Sequence, residues 1–503
     1  MGNQTKSLKN LLFSGLNLCV TVAFGFLLPR LFVVTYGSEV NGLLNSLAQL
    51  LVYLGLFEAG VGTATMQALY KPLAEDDWSG VSGVLAATDR HYKKTGLWYL
   101  IGLLVLAFIY PAVVESGLSY WTVWGAIFFS GFGSVLSFWC YGKYAYLLRA
   151  DGKGYIGAIL STVGTVLVSL CKVVLIRLGV NIVWILAASF AIGCLQCVFI
   201  LWYVRRYKQL DLSASPNEAA ISQKNAVLVH QISALVFQNT DVLILTVFCD
   251  LRVVSVYAIY RMVTSQIESV VGIFPNSVSF VMGQNYQLNK DLYKKRADLL
   301  DSYYGALVYG LFAVALFLFL PFMRLYTAGV TDINYVDPWL AVLFVAGSLL
   351  NKSRTVMGQT INYAGHYHKT LWRSVLESVI NLTVSLVGAH FLGIYGVLLG
   401  TVAALSYRTA DIILYANRKL LDRSAGRTLA IYGVDIALFV LLQILLQKLF
   451  SGIAIDSYGI FILVGLGATA ISLTVMLLGQ TLLMPHCRSF IKEQLLARRA
   501  VKK

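Results

Sequence analysis

The chain has 503 residues, of which 58% are hydrophobic and 13% charged, whereas soluble proteins carry about 45–50% apolar and about 25% charged residues. With a mean hydropathy of +0.72, this composition excludes a disordered chain and a string of soluble domains, and leaves a polytopic membrane protein. The net charge of +15, from 39 basic and 24 acidic residues, would suit a nucleic-acid binder, but the positions of the basic residues argue against that partner.

Apolar runs long enough to cross a bilayer recur along the whole chain. Fourteen are predicted, near 9–29, 40–68, 94–114, 120–147, 155–178, 182–204, 222–248, 253–281, 299–321, 339–363, 370–390, 393–416, 427–450 and 457–484. Backbone groups in lipid must be paired within their own segment, so each run is expected to be helical. The first run ends in Pro29-Arg30 without a small-residue cleavage pattern, so it is expected to remain as helix one. The expected fold class is therefore an all-α polytopic membrane protein of about fourteen transmembrane helices, with two pseudo-symmetric six-helix bundles followed by two further helices. The segments are 1–210 for the first bundle, 211–221 for a polar cytoplasmic linker (DLSASPNE at its start) and 222–420 for the second bundle. Helices 13 and 14 follow over 421–484, and a basic cytoplasmic tail over 485–503.

Placing the N-terminus in the cytoplasm puts 26 of the 39 Lys and Arg on inner segments and five on outer ones. This split orients the chain in a cytoplasmic membrane with both termini inside, and it supports the even number of spans. The basic clusters would then lie against anionic lipid heads, which are one expected partner, while nucleic acid is not.

The seven cysteines do not form a disulfide framework, and the Cys194-Leu-Gln-Cys197 pair sits in apolar surroundings that suit neither redox chemistry nor zinc. Two histidines at 366 and 368 do not make a metal site. No P-loop, H-E-x-x-H, G-x-S-x-G or potassium-filter motif occurs, so no enzyme activity, metal or cofactor is expected.

Charges inside spans are costly and normally face a bundle interior or water. Those found are Glu58, Lys143, Lys172, Asp241, Arg261, Glu268, Lys352, Arg354, Glu377, Arg408, Asp411 and Asp435, with Arg30 closing span one. Lys143, Lys172, Arg408 and Asp435 lie near predicted helix ends, where snorkelling would account for them. Arg261 and Glu268 are seven apart and share a helix face; Arg408 and Asp411 are three apart and can pair directly. Glu58 has no basic partner in its own helix. Asn45, Gln49, Gln238, Asn239 and Gln266 add amides in spans two, seven and eight. Singly these are interhelical hydrogen bonds; together they suggest a wet cleft.

Three phrases carry a family resemblance. LPRLFVVTYGSEVNGLLNSLAQLLVYLGLFEAGVGTATMQALYKPLA (Leu28–Ala74) is similar to the opening helix pair of bacterial polysaccharide flippases. These are the O-antigen, capsule and exopolysaccharide unit transporters of the multidrug/oligosaccharidyl-lipid/polysaccharide superfamily. QNTDVLILTVF (Gln238–Phe248) and VYAIYRMV (Val256–Val263) resemble the start of its second half. The resemblance implies a flippase working by alternating access. Its cargo would be an undecaprenyl-type diphosphate-linked glycan moved from the inner to the outer leaflet, with polysaccharide assembly proteins as further partners. It places Arg30 and Arg261 as diphosphate ligands, with Lys352 and Arg354 less securely matched. Glu58, Asp241 or Glu268 would couple transport to protons or sodium. The alternatives are a cation-coupled drug antiporter of the same superfamily and a flippase for the lipid-linked cell-wall precursor. An antiporter for organic cations would want an acidic cavity, whereas the charges here are mixed in sign.

Overall fold

The computed structural model describes residues 3–58, 61–114, 116–204, 210–211, 214–217 and 239–501. It is 88% helical, and no strand occurs among the described residues. The expected all-α polytopic class is what the structure shows. The contacts divide the chain into two compact units, Met1–Ala258 and Ile259–Lys503.

The first unit opens with α1 (Asn3–Leu54), whose direction changes at Gly37, where φ is 83° and ψ 171°. Only glycine adopts that conformation readily, so Tyr36-Gly37 is where the first two predicted spans separate. A 3₁₀ turn (Gly55–Glu58) follows, then α2 (Val61–Ala74) and α3 (Trp78–Val113). The Asp77 carboxylate caps α3 by accepting from the Gly80 amide at 2.9 Å, a partner for one of the donors a helix start leaves open. Helices α4 (Tyr120–Leu136) and α5 (Gly142–Ala150) are joined by a π turn, and α6 (Gly154–Arg177), α7 (Ile182–Val204) and α8 (Asn239–Phe248) complete the unit with the start of α9 (Leu251–Leu288). Leu43, Leu47, Tyr99, Leu103, Ile127, Val135 and Ile185 form its core. Gly42 lets α1 touch the first residue of α9, because a Cβ there would meet the Leu251 carbonyl.

The second unit contains the rest of α9, then α10 (Lys290–Tyr326), α11 (Pro338–Ser353) and α12 (Thr355–Tyr363). These are followed by α13 (Tyr367–Leu392), α14 (Ile394–Tyr415), α15 (Gly426–Phe450), α16 (Tyr458–Leu483) and α17 (Pro485–Val501). Helix α10 packs against α11, α15 and α16. Helices α13 and α14 form a tight hairpin around Gly393 (φ 56°), where Gly388 and Gly396 face each other with no room for a Cβ.

Ten of the described helical segments are long and apolar enough to cross a membrane. The difference from the predicted fourteen has a physical origin. Spans one and two are joined through the Gly37 kink and so count as one segment. Most of span seven (222–238) lies outside the described residues, as does much of the predicted linker. Span eight, on α9, is too polar, and span ten is broken between Ser353 and Thr355. These interrupted or polar segments carry most of the predicted cavity residues. Elsewhere large apolar side chains face outward at helical spacing, as with Leu97, Ile101, Val105 and Phe108 on α3 or Val163, Leu167, Leu170 and Val174 on α6. In water such faces would be an aggregation hazard; here they suit the lipid of a multi-pass membrane protein.

Candidate functional site

In the first unit a polar stripe runs along α1. Asn41, Asn45, Gln49 and Tyr53 recur every four residues and so lie on one helix face. Asn41 donates to the Ser255 hydroxyl at 2.7 Å, Asn45 to the Asn41 carbonyl at 2.8 Å, and the Tyr53 hydroxyl pairs with Thr240 at 3.0 Å. Beside the stripe, the hydroxyls of Tyr110 and Thr246 each donate to Ser46 at 2.9 Å. The Gln49 side-chain oxygen is buried without a partner. Asp241 is buried on α8 and accepts from the Tyr257 hydroxyl at 3.0 Å. Asn239, at the start of α8, and Arg30, next to Pro29 on α1, are half-buried. Gln238 lies outside the described residues.

Glu58 sits in the 3₁₀ turn and accepts from two phenols, Tyr92 at 2.6 Å and Tyr146 at 3.1 Å. Its partners are thus neutral hydroxyls from α3 and α5. Tyr146 reaches it across Gly62, where a Cβ would collide with the phenol ring. Lys143, for which snorkelling was one expectation, is instead paired with Asp89 on α3, which also holds Lys93 at 2.9 Å.

The second unit contains a continuous ribbon of charge. Glu268 on α9 is its first centre. It lies 3.4 Å from Arg261 and 3.3 Å from Lys352, and it accepts from Ser348 at 2.8 Å and Asn351 at 3.5 Å. Arg354 donates to Asn351 at 3.1 Å and to Glu377 at 2.6 Å. Arg408 spans Glu377 (3.5 Å) and Asp411 (2.6 Å), and Arg373 closes the series on Asp411. The Arg408–Asp411 pair expected from spacing forms, and Arg261 and Glu268, expected on one helix face, meet each other.

The helix break after Ser353 explains why Lys352 and Arg354 diverge. Lys352 ends α11 and turns to Glu268, while Arg354, in the break, turns to Glu377 on α13. The ribbon gathers five cationic side chains and three carboxylates, a formal surplus of two positive charges. Arg261 is its open end, with a side chain 45% exposed, against 19% for Lys352 and 17% for Arg354. Gln266 is half-buried on α9, two residues from Glu268 and so on another face of the helix.

Sequence reasoning missed Arg373, Ser348 and Asn351. Arg373 and Glu377 stand at the (i, i+4) spacing that signals a pair, but Glu377 is taken by arginines of α14 and the α11–α12 break. Ser348 and Asn351 are three apart on α11, with Lys352 next to them, and together they read as one face.

No group of His, Cys, Asp and Glu that could hold a metal occurs among the described residues. His366 accepts from Lys369 at 3.0 Å and contacts the Tyr415 hydroxyl at 2.9 Å. Burial, and then the Lys369 ammonium, hold this imidazole below its ordinary value, which suits a neutral acceptor.

No protein-family model matches the chain, and no curated protein matches it. Solved structures do. The lipid II flippase MurJ in an inward closed conformation aligns over 92% of this chain and 98% of its own, with a TM-score of 0.67 at 12% identity. An inward-facing multidrug resistance MATE family transporter of the MOP superfamily aligns over 84% of this chain and 99% of its own (TM-score 0.57, 16% identity). An outward-facing multidrug resistance MATE family transporter of the same superfamily aligns over 86% and 97% (TM-score 0.52, 14% identity). At such identities the likeness is one of architecture: the chain has the all-α membrane fold that MurJ and the MATE transporters share.

Proposed function

We propose that the protein is a flippase that carries an isoprenoid-diphosphate-linked saccharide across the cytoplasmic membrane, with Arg261 as the first contact for the diphosphate. The observation that carries this reading is the charge ribbon of the second unit. It holds two more cations than carboxylates, and its most exposed member is an arginine at one end. A diphosphate diester carries two negative charges, and a guanidinium offers it a planar fork of donors. Glu268 holds Arg261 and Lys352 in place, so the anion would meet a pre-formed cationic pair. The lipid tail never needs to leave the bilayer. A membrane potential negative inside favours outward movement of the anionic head by about 2.3 kcal/mol per charge per 100 mV.

The similarity to MurJ over nearly the whole chain supports a lipid-linked cargo, and a cell-wall precursor has the same diphosphate chemistry. The positive surplus disfavours export of organic cations. The polysaccharide repeat unit remains the preferred cargo on the strength of the Leu28–Ala74, Gln238–Phe248 and Val256–Val263 resemblance.

The test is leaflet accessibility of a diphosphate-linked oligosaccharide in proteoliposomes. The wild type is expected to expose the glycan to an external glycosidase, and Arg261→Ala to slow this by about 10- to 100-fold, the value of one charged hydrogen-bond donor. Equal transport by Arg261→Ala, or transport of organic cations in place of the lipid, would reject the assignment.

A further inference from the structure

A second polar cluster lies away from the ribbon, where the first half of α10, the first half of α15 and the last turn of α16 meet. Asp301 (α10) is 2% exposed, and Asp435 (α15) and Gln480 (α16) are both fully buried. The Gln480 amide donates to Asp435 Oδ1 at 2.7 Å. The other Asp435 oxygen lies against Gly305, one turn beyond Asp301 on α10. The Tyr432 hydroxyl, one turn before Asp435, lies 3.2 Å from Asp301 Oδ1 and also against the Ser353 carbonyl oxygen. Three acceptor atoms of these residues are buried with no hydrogen-bond partner among the described residues: Asp301 Oδ2, Asp435 Oδ2 and the Gln480 side-chain oxygen.

The hydrogens can be counted. Tyr432 has one hydroxyl proton and two acceptors in reach, a backbone carbonyl and a carboxylate. The carbonyl cannot supply a proton. If Tyr432 donates to it, the contact with Asp301 is a hydrogen bond only when Asp301 is the donor. The charges point the same way. The cations nearest Asp435 in sequence are Arg427 and Arg423, and both are engaged by Asp298, Arg423 at 2.7 Å and Arg427 at 3.0 Å. On α16 the pocket meets only Gln480. On α10 it meets Asp298 and Tyr309, the latter bonded to Ser353 at 3.0 Å, and α17 contributes His486, bonded to Ser302 at 2.8 Å. Two uncompensated carboxylates with no solvent exposure would be prohibitive, and in such surroundings an acid neutralises instead.

We infer that Asp301 and Asp435 form a proton-binding site in which the pair holds a proton, seated on Asp301 and donated to the Tyr432 oxygen. Tyr432 then donates to Ser353, the carbonyl at the end of α11, and so ties the proton to the α11–α12 break. A metal cation is disfavoured, because Asp435 is packed against the Gly305 backbone. Helix packing and the hydrogen count carry this site, independently of the cargo.

Infrared difference spectroscopy of the full chain in liposomes at neutral pH tests it. The wild type is expected to show a protonated-carboxyl carbonyl band that shifts in D₂O, is unchanged by exchanging sodium for choline, and is lost in Asp301→Asn. An asparagine amide can donate to Tyr432 as the acid does, so that variant is expected to keep the wild-type melting temperature. Asp301→Glu is expected to restore a band at a shifted position. Absence of the band from the wild type would overturn the site, as would a band that both Asp301→Asn and Asp435→Asn leave unchanged. A melting temperature that rises with sodium in the wild type but not in Asp435→Asn would overturn it in favour of a sodium site. Should both asparagine variants fail to fold, the wild-type band and its sodium response still decide.

Discussion

Glu268 on α9 and Glu58 in the 3₁₀ turn are both acids within predicted spans, yet their surroundings assign them different duties. Glu268 is 10% exposed at its side chain and neutralises Arg261 and Lys352 while accepting from Ser348 and Asn351. Removing the charge leaves Lys352 largely buried beside an uncharged amide, and breaking a buried pair costs about 3–5 kcal/mol. Glu268→Gln is therefore expected to lower stability by that order in a detergent melt, whereas Arg261→Ala, at the exposed end, should change stability little and transport strongly. Among the described residues Glu58 accepts from Tyr92 and Tyr146. A glutamine oxygen can accept the same two bonds, so Glu58→Gln should cost about 1 kcal/mol or less. If Glu58 served as the coupling acid, the same variant would abolish the pH dependence of transport; unchanged pH dependence would remove Glu58 from that duty. Spacing alone revealed the Arg408–Asp411 pair and put Arg261 and Glu268 on one face, because positions on one helix are fixed by 3.6 residues per turn. Partners from different helices, such as Tyr92 for Glu58 or Arg354 for Glu377, depend on packing that no local pattern encodes.

Among the elements, the polar or broken ones are where length and hydropathy counts fail. Helix α1 merges two predicted spans through Gly37, and α11 and α12 divide one. Apolar spans such as α6 and α16 were legible because every residue votes for the same state. Span ten was legible as apolar, but not its interruption, because the Lys352-Ser-Arg354 break is fixed by where Glu268 and Glu377 draw the two cations. Gly37 holds a positive φ that a Cβ disfavours by roughly 1–2 kcal/mol. Gly37→Ala is expected to destabilise the first unit by that amount, and a neutral effect would argue that α1 runs straight there. The α13–α14 hairpin offers a pH test. His366, on the turn before α13, contacts Tyr415 on α14. Its folded value lies below the ordinary 6.5, so the unfolded chain binds more protons in the window just under 6.5. Stability must then fall as pH drops through that window. His366→Gln should flatten this slope in a pH series of melts; a slope unchanged by the substitution would remove His366 as its source.

At the scale of the molecule, the distribution of basic residues and the periodic apolar faces bear on one quantity, the number of crossings. An even number with positive-rich loops inside places the turns at Lys153 and Lys290 on one side and those at Arg177 and Arg324 on the other. The seven native cysteines are all free, so a cysteine-free background can be made without breaking a disulfide. Single cysteines at Lys153 and Lys290 are expected to react with an impermeant maleimide only after permeabilisation, and those at Arg177 and Arg324 in intact cells. Ten helices qualify by composition, and these four turns keep their sides whether or not α8 and α9 also cross, because two further crossings cancel. Between Arg177 and Arg324 the chain passes through α7, α8, α9 and α10, of which only α7 and α10 qualify. Were α8 and α9 not to cross, Lys290 would need to follow α7 directly on the inner side, and α9 would lie along the surface with Glu268 and Arg261 in reach of water. Protection of cysteines at Val270 and Ile273, both on the exposed apolar face of α9, even after permeabilisation would place α9 in lipid despite its polarity. The polar helices would then be spans whose charged faces turn inward, as a carrier for a charged head group requires. Free reaction of both once the cells are permeabilised would remove α9 from the membrane, and with it the Arg261 contact proposed for the cargo.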